Sequence, residues 1–420
     1  MRLTIPRGII YHTLRQNFST LIKSMFVKLD NKAIVNTFEQ SFADYIGCNH
    51  GVAFPFARVA IYYSLKLKLF PVGSEIIMPP ITIKAILDVV LALGLKPVFV
   101  DIDPDTLGFD LTKLQASITP KTKAILITYL YGMVPDLGAM LTICKKHDLF
   151  IIEDFAQCLN GEYKGKKVGG FGDVGIYSAS SIKTLDTCGG GLLVTDNKQF
   201  YQQLRVCQAE LGKPSRAALI KKIYTNIVRN TATTRIIFHL FAFPLLKVIH
   251  RFKPEAFIKN TGDRDKNPLK KLPAAWFTQY TSLQASIGLT LLPKVQYEDR
   301  VRISNANTIR ANTSVQFPQG VSDTKNVFWQ TIAYFSEPLV ILGLLRANQI
   351  DSATTSLEKI STLPNYPFKG NTPNADMIYS CAIFVPSYPG LKESDLTYIV
   401  NTFNQVSRQS ETMGRVSWAG

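Results

Sequence analysis

Short apolar runs alternate with stretches of helical periodicity through the first half of the chain. Residues 75–78, 97–100, 124–128, 150–153 and 192–195 are compact apolar segments of strand length, while 85–93 and 137–147 repeat apolar positions at helical spacing. Strands that alternate with helices predict an α/β class: a mostly parallel sheet covered by helices on both faces. From about residue 293 the pattern shifts to a strand over 327–335 and helices over 338–348 and 393–406, which predicts a smaller α+β domain.

With 420 residues, 46% of them hydrophobic and 19% charged, the chain can bury a large core divided between two domains. The expected division is a basic helical segment at 1–34, a large α/β domain at 35–210, an insertion at 211–275 and a small domain at 276–420. Cys48, Cys144, Cys158, Cys188, Cys207 and Cys381 show no CxxC spacing and no matching histidine set, so neither a disulfide framework nor a zinc site is expected. The opening residues are interrupted by Arg7, His12 and Arg15 and do not read as a secretory signal. A cytoplasmic compartment is the expectation.

The chemistry centres on two neighbouring features. Ile151-Ile-Glu-Asp154 ends an apolar strand in an acidic pair, and Lys183 follows the short strand 175–178 and precedes Cys188-Gly-Gly-Gly191. A Schiff-base lysine must lose its proton, which burial or nearby positive charge promotes. A pyridinium nitrogen needs a carboxylate partner, and Asp154 at a strand's carboxyl end is placed to supply one.

The ordered stretches Phe38-Glu-Gln-Ser-Phe-Ala-Asp-Tyr-Ile-Gly47, Gly94-Leu-Lys-Pro-Val-Phe-Val-Asp-Ile-Asp103, Tyr129-Leu-Tyr-Gly-Met-Val-Pro-Asp136, Glu153-Asp-Phe-Ala-Gln157 and Gln284-Ala-Ser-Ile-Gly288 carry a resemblance. Together with the Lys183 segment, they resemble the DegT/DnrJ/EryC1/StrS family of pyridoxal-phosphate-dependent sugar aminotransferases, fold type I. That resemblance implies that Lys183 forms the imine with pyridoxal phosphate and moves the proton in transamination. It implies further that Asp154 pairs with the ring nitrogen, Gln157 meets the ring hydroxyl and Ser178 contacts the phosphate. The implied reaction moves an amino group, from glutamate, onto a keto-sugar carried by a nucleotide or lipid, in a homodimer.

Several positions depart from the family pattern. A Ser-Gly-Thr turn is replaced by Phe54-Pro-Phe-Ala57-Arg58, where the helix start at Ala57 can still cup an anion. Arg58 either adds a charge-assisted phosphate contact or faces water or an acid. Ile83 stands where an aromatic residue commonly stacks on the ring, Phe277 where an asparagine reaches across the dimer, and Gly189 where a glutamate is common. These losses keep a second reading open: a catalytically altered relative acting as a membrane-associated partner in polysaccharide assembly.

Between residues 213 and 271 fourteen Lys and Arg face three acids, so this segment contributes +11 of the formal +16. It encloses the apolar run 236–249, too short and too broken by His239, Pro244 and Lys247 to span a bilayer unaided. Two arrangements fit: a segment lying in an anionic membrane interface, or an extra helical hairpin packed on the body. Nucleic acid is not expected, because the aromatics form one hydrophobic block instead of alternating with basic residues. The basic start, with Ile9, Ile10, Leu14, Leu21, Ile22 and Phe26 at helical spacing, reads as a docked N-terminal helix or a second amphipathic element.

Overall fold

The apolar runs assemble into one central sheet. The structure, a computed structural model, describes residues 2–252, 267–355 and 357–413. In chain order the strands are β1 (His50–Phe54), β2 (Glu75–Met78), β3 (Ile81–Thr82), β4 (Lys96–Phe99), β5 (Thr122–Thr128), β6 (Phe150–Asp154), β7 (Glu162–Tyr163), β8 (Lys166–Lys167), β9 (Val174–Ser178) and β10 (Gly191–Thr195). Seven of them form a sheet in the order β1, β10, β9, β6, β5, β2, β4. Its β4, β2, β5, β6 and β9 pair in parallel, whereas β10 and β1 close one edge antiparallel.

Residue alternation along the strands divides the core between the two faces. Ile125, Ile127, Ile151 and Leu192 join Phe38 and Phe42 of α2 (Lys32–Ile46), and Ala124, Leu126, Ile152 and Leu193 join Val59 of α3 (Ala57–Leu67) and Ile86 of α4 (Lys84–Ala92). Both faces are therefore covered, as a largely parallel sheet requires. Helices α5 (Leu111–Ser117), α6 (Leu137–Lys146) and α7 (Lys198–Ala209) complete this layer, and α1 (Leu14–Phe26) precedes it.

A second core lies around an antiparallel pair, Thr331–Tyr334 with Ala382–Val385, backed by the helices Pro338–Ala347 and Glu393–Met413. The strand expected over 327–335 is shorter than its apolar pattern suggests. The N–H groups of Val327 and Phe328 donate to the Gly132 carbonyl at 2.8 and 3.3 Å, and Gln330 N–H donates to Tyr131 O at 3.2 Å. Those bonds tie 327–330 to the loop after β5, and Phe328 sits at φ 47°.

The insertion begins with α8 (Arg216–Thr233) and continues through α9 (Arg235–Ile237), a π-helical turn at Phe238–Ala242 and α10 (Phe243–Phe252). Helix α8 buries Leu219, Ile223, Asn226 and Ile227 against the body, and its Arg216 donates to the carbonyls of Ser24 and Val27 at the end of α1. By contrast Leu240, Phe241, Leu245 and Val248 are more than half exposed. Pro244 falls where the π-helical turn passes into α10, inside one continuous helical stretch, and removes a backbone donor there. Lys253, Glu255, Asp263 and Asp265 lie outside the described residues. Among the described residues no single helix is long and apolar enough to cross a membrane, though the pair Arg216–Thr233 and Arg235–Ile249, bent by 67°, passes on length and composition.

The first residues strap the second core to the insertion. Ile5 exchanges backbone bonds with Gln349 and Asp351 at 2.9 and 2.8 Å, and Arg7 pairs with the Asp351 carboxylate at 2.7 and 2.8 Å. Thr4 N–H donates to His239 Nδ1 at 3.2 Å, and Arg235 grips Asp395 through two 2.6 Å bonds.

Candidate active site

The carboxyl ends of β5, β6 and β9 place the predicted residues side by side, where open α/β sheets bind ligands. Thr128 pairs with Asp154 and Asp154 with Ile176, while Ser178 pairs with Gly191 at the start of β10. Lys183 sits in the connection from β9 to β10, a tightly bonded turn. Its N–H donates to Ser180 O at 3.1 Å, Leu185 N–H to the Tyr177 hydroxyl at 2.9 Å, and Thr187 and Gly189 N–H to Ala179 O at 3.0 and 3.1 Å. The preceding residue, Ile182, holds φ 74°, a left-handed conformation that a β-branched side chain adopts only under constraint. Trp329 supplies that constraint: its indole Nε1 donates to Ile182 O at 3.1 Å, and its ring centre lies 3.6 Å from Lys183 Nζ.

Burial works on both members of the central pair. It pushes the half-buried Lys183 amine down to about 7, with the Asp154 carboxylate opposing the drop. It also raises the Asp154 carboxyl, against the Ala156 N–H that donates to it at 3.1 Å and against Lys183. Each environment favours the neutral form of its group. The Thr128 hydroxyl, paired in register with Asp154, is buried without a hydrogen-bond partner.

Glu153, the other half of the acidic pair, is fully buried and structural. It accepts from the N–H groups of Gly169 at 2.8 Å and of Phe171 and Gly172 at 2.6 Å, and from the Tyr129 hydroxyl, so it clamps the glycine-rich loop before β9. Gln157 is buried, and its Oε1 accepts from Tyr131 N–H at 2.6 Å, which holds a residue at φ 56°. The Ser178 and Ser180 hydroxyls lie 3.1 Å apart.

The opposite wall is the start of α3. An added Cβ at Gly191 would fall 2.3 Å from Ala57 N, so the glycine lets β10 press against the helix start. No side chain caps that helix. Arg58 lies against the rings of Phe56 and Trp276, with its Cζ 4.4 and 4.2 Å from their centres. Phe277 packs edge-on against Tyr62 of its own chain at 5.2 Å. Ile83 caps the start of α4 and is 42% exposed.

Sequence reasoning missed three contributors. Trp329 comes from the second core, and no local motif announces it. Asn226 of α8 accepts from Ser181 and donates to Asp186 Oδ2 at 2.9 Å, which stitches the insertion to the lysine turn. Arg302 is buried and donates to Tyr11 Oη, Asp299, Thr184 Oγ1 at 3.2 Å and Val327 O at 3.0 Å, beneath the same turn. His12, Asp186 and Cys188 also converge, but protein donors already engage Asp186: Cys188 N–H at 2.7 Å and Asn226. The six cysteines are free.

A cavity of about 440 Å³ opens beside the lysine, lined by Tyr11, Ile182, Arg229, Trp329, Gln330 and Tyr388 among others. Among the described residues the buried Gln330 Oε1 has no hydrogen-bond partner. An amine held near neutrality, a carboxyl at a strand end and an uncapped helix start over a glycine turn suit pyridoxal phosphate at three separate points: aldehyde, ring nitrogen and phosphate.

Residues 11–223 match the model of the DegT/DnrJ/EryC1/StrS aminotransferase family, and the chain belongs to that family, whose members are pyridoxal-phosphate-dependent transaminases. It is 26% identical to the GDP-perosamine synthase of Caulobacter vibrioides, over 88% of this chain and 89% of that one. It is 36% identical to the spore coat polysaccharide biosynthesis protein SpsC of Bacillus subtilis, over 41% of this chain and 44% of the relative. The fold matches that of the sugar aminotransferase CalS13 from Micromonospora echinospora with a TM-score of 0.72 at 21% identity, covering 96% of this chain and 99% of the other.

Proposed function

We propose that this protein binds pyridoxal phosphate and transfers an amino group from an amino acid, glutamate, to a keto-sugar carried on a nucleotide or lipid, for amino-sugar or cell-surface polysaccharide synthesis. The observation that carries the reading is Lys183 held near neutrality beside Asp154 at the strand ends. The sugar-handling relatives named above support the substrate class.

Bound there, the cofactor would supply an electron sink and a temporary carrier for the amino group. The chain's own residues do the rest. Asp154 provides the carboxylate for the ring nitrogen, and Gln157 sits toward the ring hydroxyl. Ser178, the Ala57 N–H and Arg58 serve the phosphate, with Ile83 toward the ring face. Lys183 Nζ, nucleophile while the cofactor is being bound, then takes up and returns the proton at the substrate carbon. Trp329, stacked on that amine and bonded to Ile182, orients it and shields it from water. The cavity beyond Trp329 receives the sugar, and Gln330 Oε1 offers an acceptor for a hydroxyl. In this reading 35–210 holds the cofactor, 276–420 closes over it, and a homodimer is the working form.

The test is direct. Purified protein given pyridoxal phosphate should acquire a visible absorbance band that glutamate shifts and Lys183→Ala abolishes. A parent protein that takes up no cofactor would sink the proposal.

One surface favours an added role at a membrane. The exposed Leu240, Phe241, Leu245 and Val248 lie in the segment of highest positive charge, which suits peripheral contact with an anionic lipid face on the cytoplasmic side. It also suits the alternative role of membrane-associated partner in polysaccharide assembly. Flotation with anionic liposomes checks it: a Leu240→Asp, Phe241→Asp variant should stay in the soluble fraction while the parent floats, and equal recovery would refute the contact.

A further inference from the structure

We propose that Lys222, carried by the insertion helix α8, anchors the cofactor's phosphate from within the same chain; this rests on the cofactor reading above. Four observations converge on that side chain.

First, its position is built. Lys222 lies on the edge of the buried face formed by Leu219, Ile223, Asn226 and Ile227, and Asn226, one turn further on, is bonded to both Ser181 and Asp186 in the lysine turn. The helix is therefore held in register against the active-site loop.

Second, the glycine turn makes room for it. Gly189 holds φ 106°, and an added Cβ there would stand 2.9 Å from Lys222 Nζ. The ammonium thus occupies the space beside the backbone leading through Gly190 to Gly191, and Gly191 in turn presses on Ala57 N at the start of α3.

Third, a second cation stands beside it. Lys222 Nζ lies 4.4 Å from the Phe56 ring centre, the same ring against which Arg58 rests at 4.4 Å. Among the described residues no acid lies within ion-pair distance of Lys222, although it is half-buried. Burial, then the neighbouring Arg58, push its amine down, with Cys188 opposing, so Lys222 sits where an anion would be welcome.

Fourth, this charge borders an uncapped helix start whose dipole also favours an anion. The Lys222 ammonium and the helix N-terminus both favour an anion at the same place, and the phosphate is the part of the cofactor that bears such charge. Phe277 is turned onto Tyr62 of its own chain and is apolar, so it offers nothing to an anion.

The experiment measures binding, not turnover. Dissociation constants for pyridoxal phosphate and for pyridoxal, which lacks the phosphate, are determined by spectroscopic titration for the parent, Lys222→Ala and Lys222→Arg. Loss of one charge-assisted contact should weaken pyridoxal phosphate about tenfold or more in Lys222→Ala, leave pyridoxal affinity unchanged, and be partly restored in Lys222→Arg. Unchanged pyridoxal phosphate affinity overturns the assignment, as does an equal loss for both ligands, which would mean that the substitution only disturbs the loop. If the parent binds no pyridoxal phosphate, the functional reading itself fails, a result distinguishable from failure of the Lys222 assignment alone.

Discussion

The amine of Lys183 gives the sharpest prediction, because it can be tested in the cofactor-free protein. Its downward shift from 10.5 to about 7 represents about 5 kcal/mol against the charged form. At neutral pH about half of the amines are then unprotonated, compared with roughly one in 3,000 for an unperturbed lysine. Competitive labelling with an amine-reactive reagent, read by mass spectrometry across the pH range, reports this directly. Lys183 reactivity should rise through a midpoint near 7 and level off while surface lysines continue to gain. Because Asp154 opposes the shift, Asp154→Asn should move the midpoint lower still. Labelling that keeps climbing with the surface lysines, or a midpoint that moves upward in Asp154→Asn, would refute the reasoning.

Two further perturbations test what supports the site. Glu153→Ala leaves three backbone N–H groups and the Tyr129 hydroxyl without their acceptor, which should cost about 3–5 kcal/mol; a denaturation midpoint close to the parent's would contradict that. Arg235→Ala should expose the insertion to limited proteolysis, since Asp395 is left with Arg2 at 3.9 Å, for a loss of about 2 kcal/mol. Burial alone would raise the Asp395 carboxyl, yet the Arg235 bonds hold it below the ordinary 3.8. The parent's protection should therefore persist at mildly acid pH and fade only as pH falls through that depressed value. Protection that vanished well above pH 3.8 would argue against the ion pair.

The strands and the lysine–carboxylate pair were legible because both are local signals. A strand buried on two faces must be a continuous apolar run, so β2, β5, β6 and β10 stand out in the sequence within a residue or two of their observed ends. Asp154 ends one such run, and Lys183 follows in the connection after β9. What escaped depends on distant partners. Trp329 meets Ile182 across 147 positions, and only the folded chain shows that Val327 and Phe328 bond to Gly132 instead of extending a strand. The insertion was ambiguous for a related reason. Its composition suits both a core and a lipid surface, and the structure divides the two properties: α8 turns Leu219, Ile223 and Ile227 inward, whereas the π-helical turn and α10 bury Phe238 and Phe243 but leave Leu240, Phe241, Leu245 and Val248 outside.

The strap formed by the first residues has a consequence for the order in which the molecule comes together. Ile5 and Arg7 find partners at Gln349 and Asp351, and Arg235 finds one at Asp395. Closing such distant contacts carries a loop-entropy cost that local structure does not. The central sheet can organise from neighbouring strands, but the wall of the cavity contributed by the strap and the insertion waits for the far end of the chain. The wall of the ligand chamber is consequently made from both ends of the chain, and its completeness depends on contacts 344 and 160 positions apart.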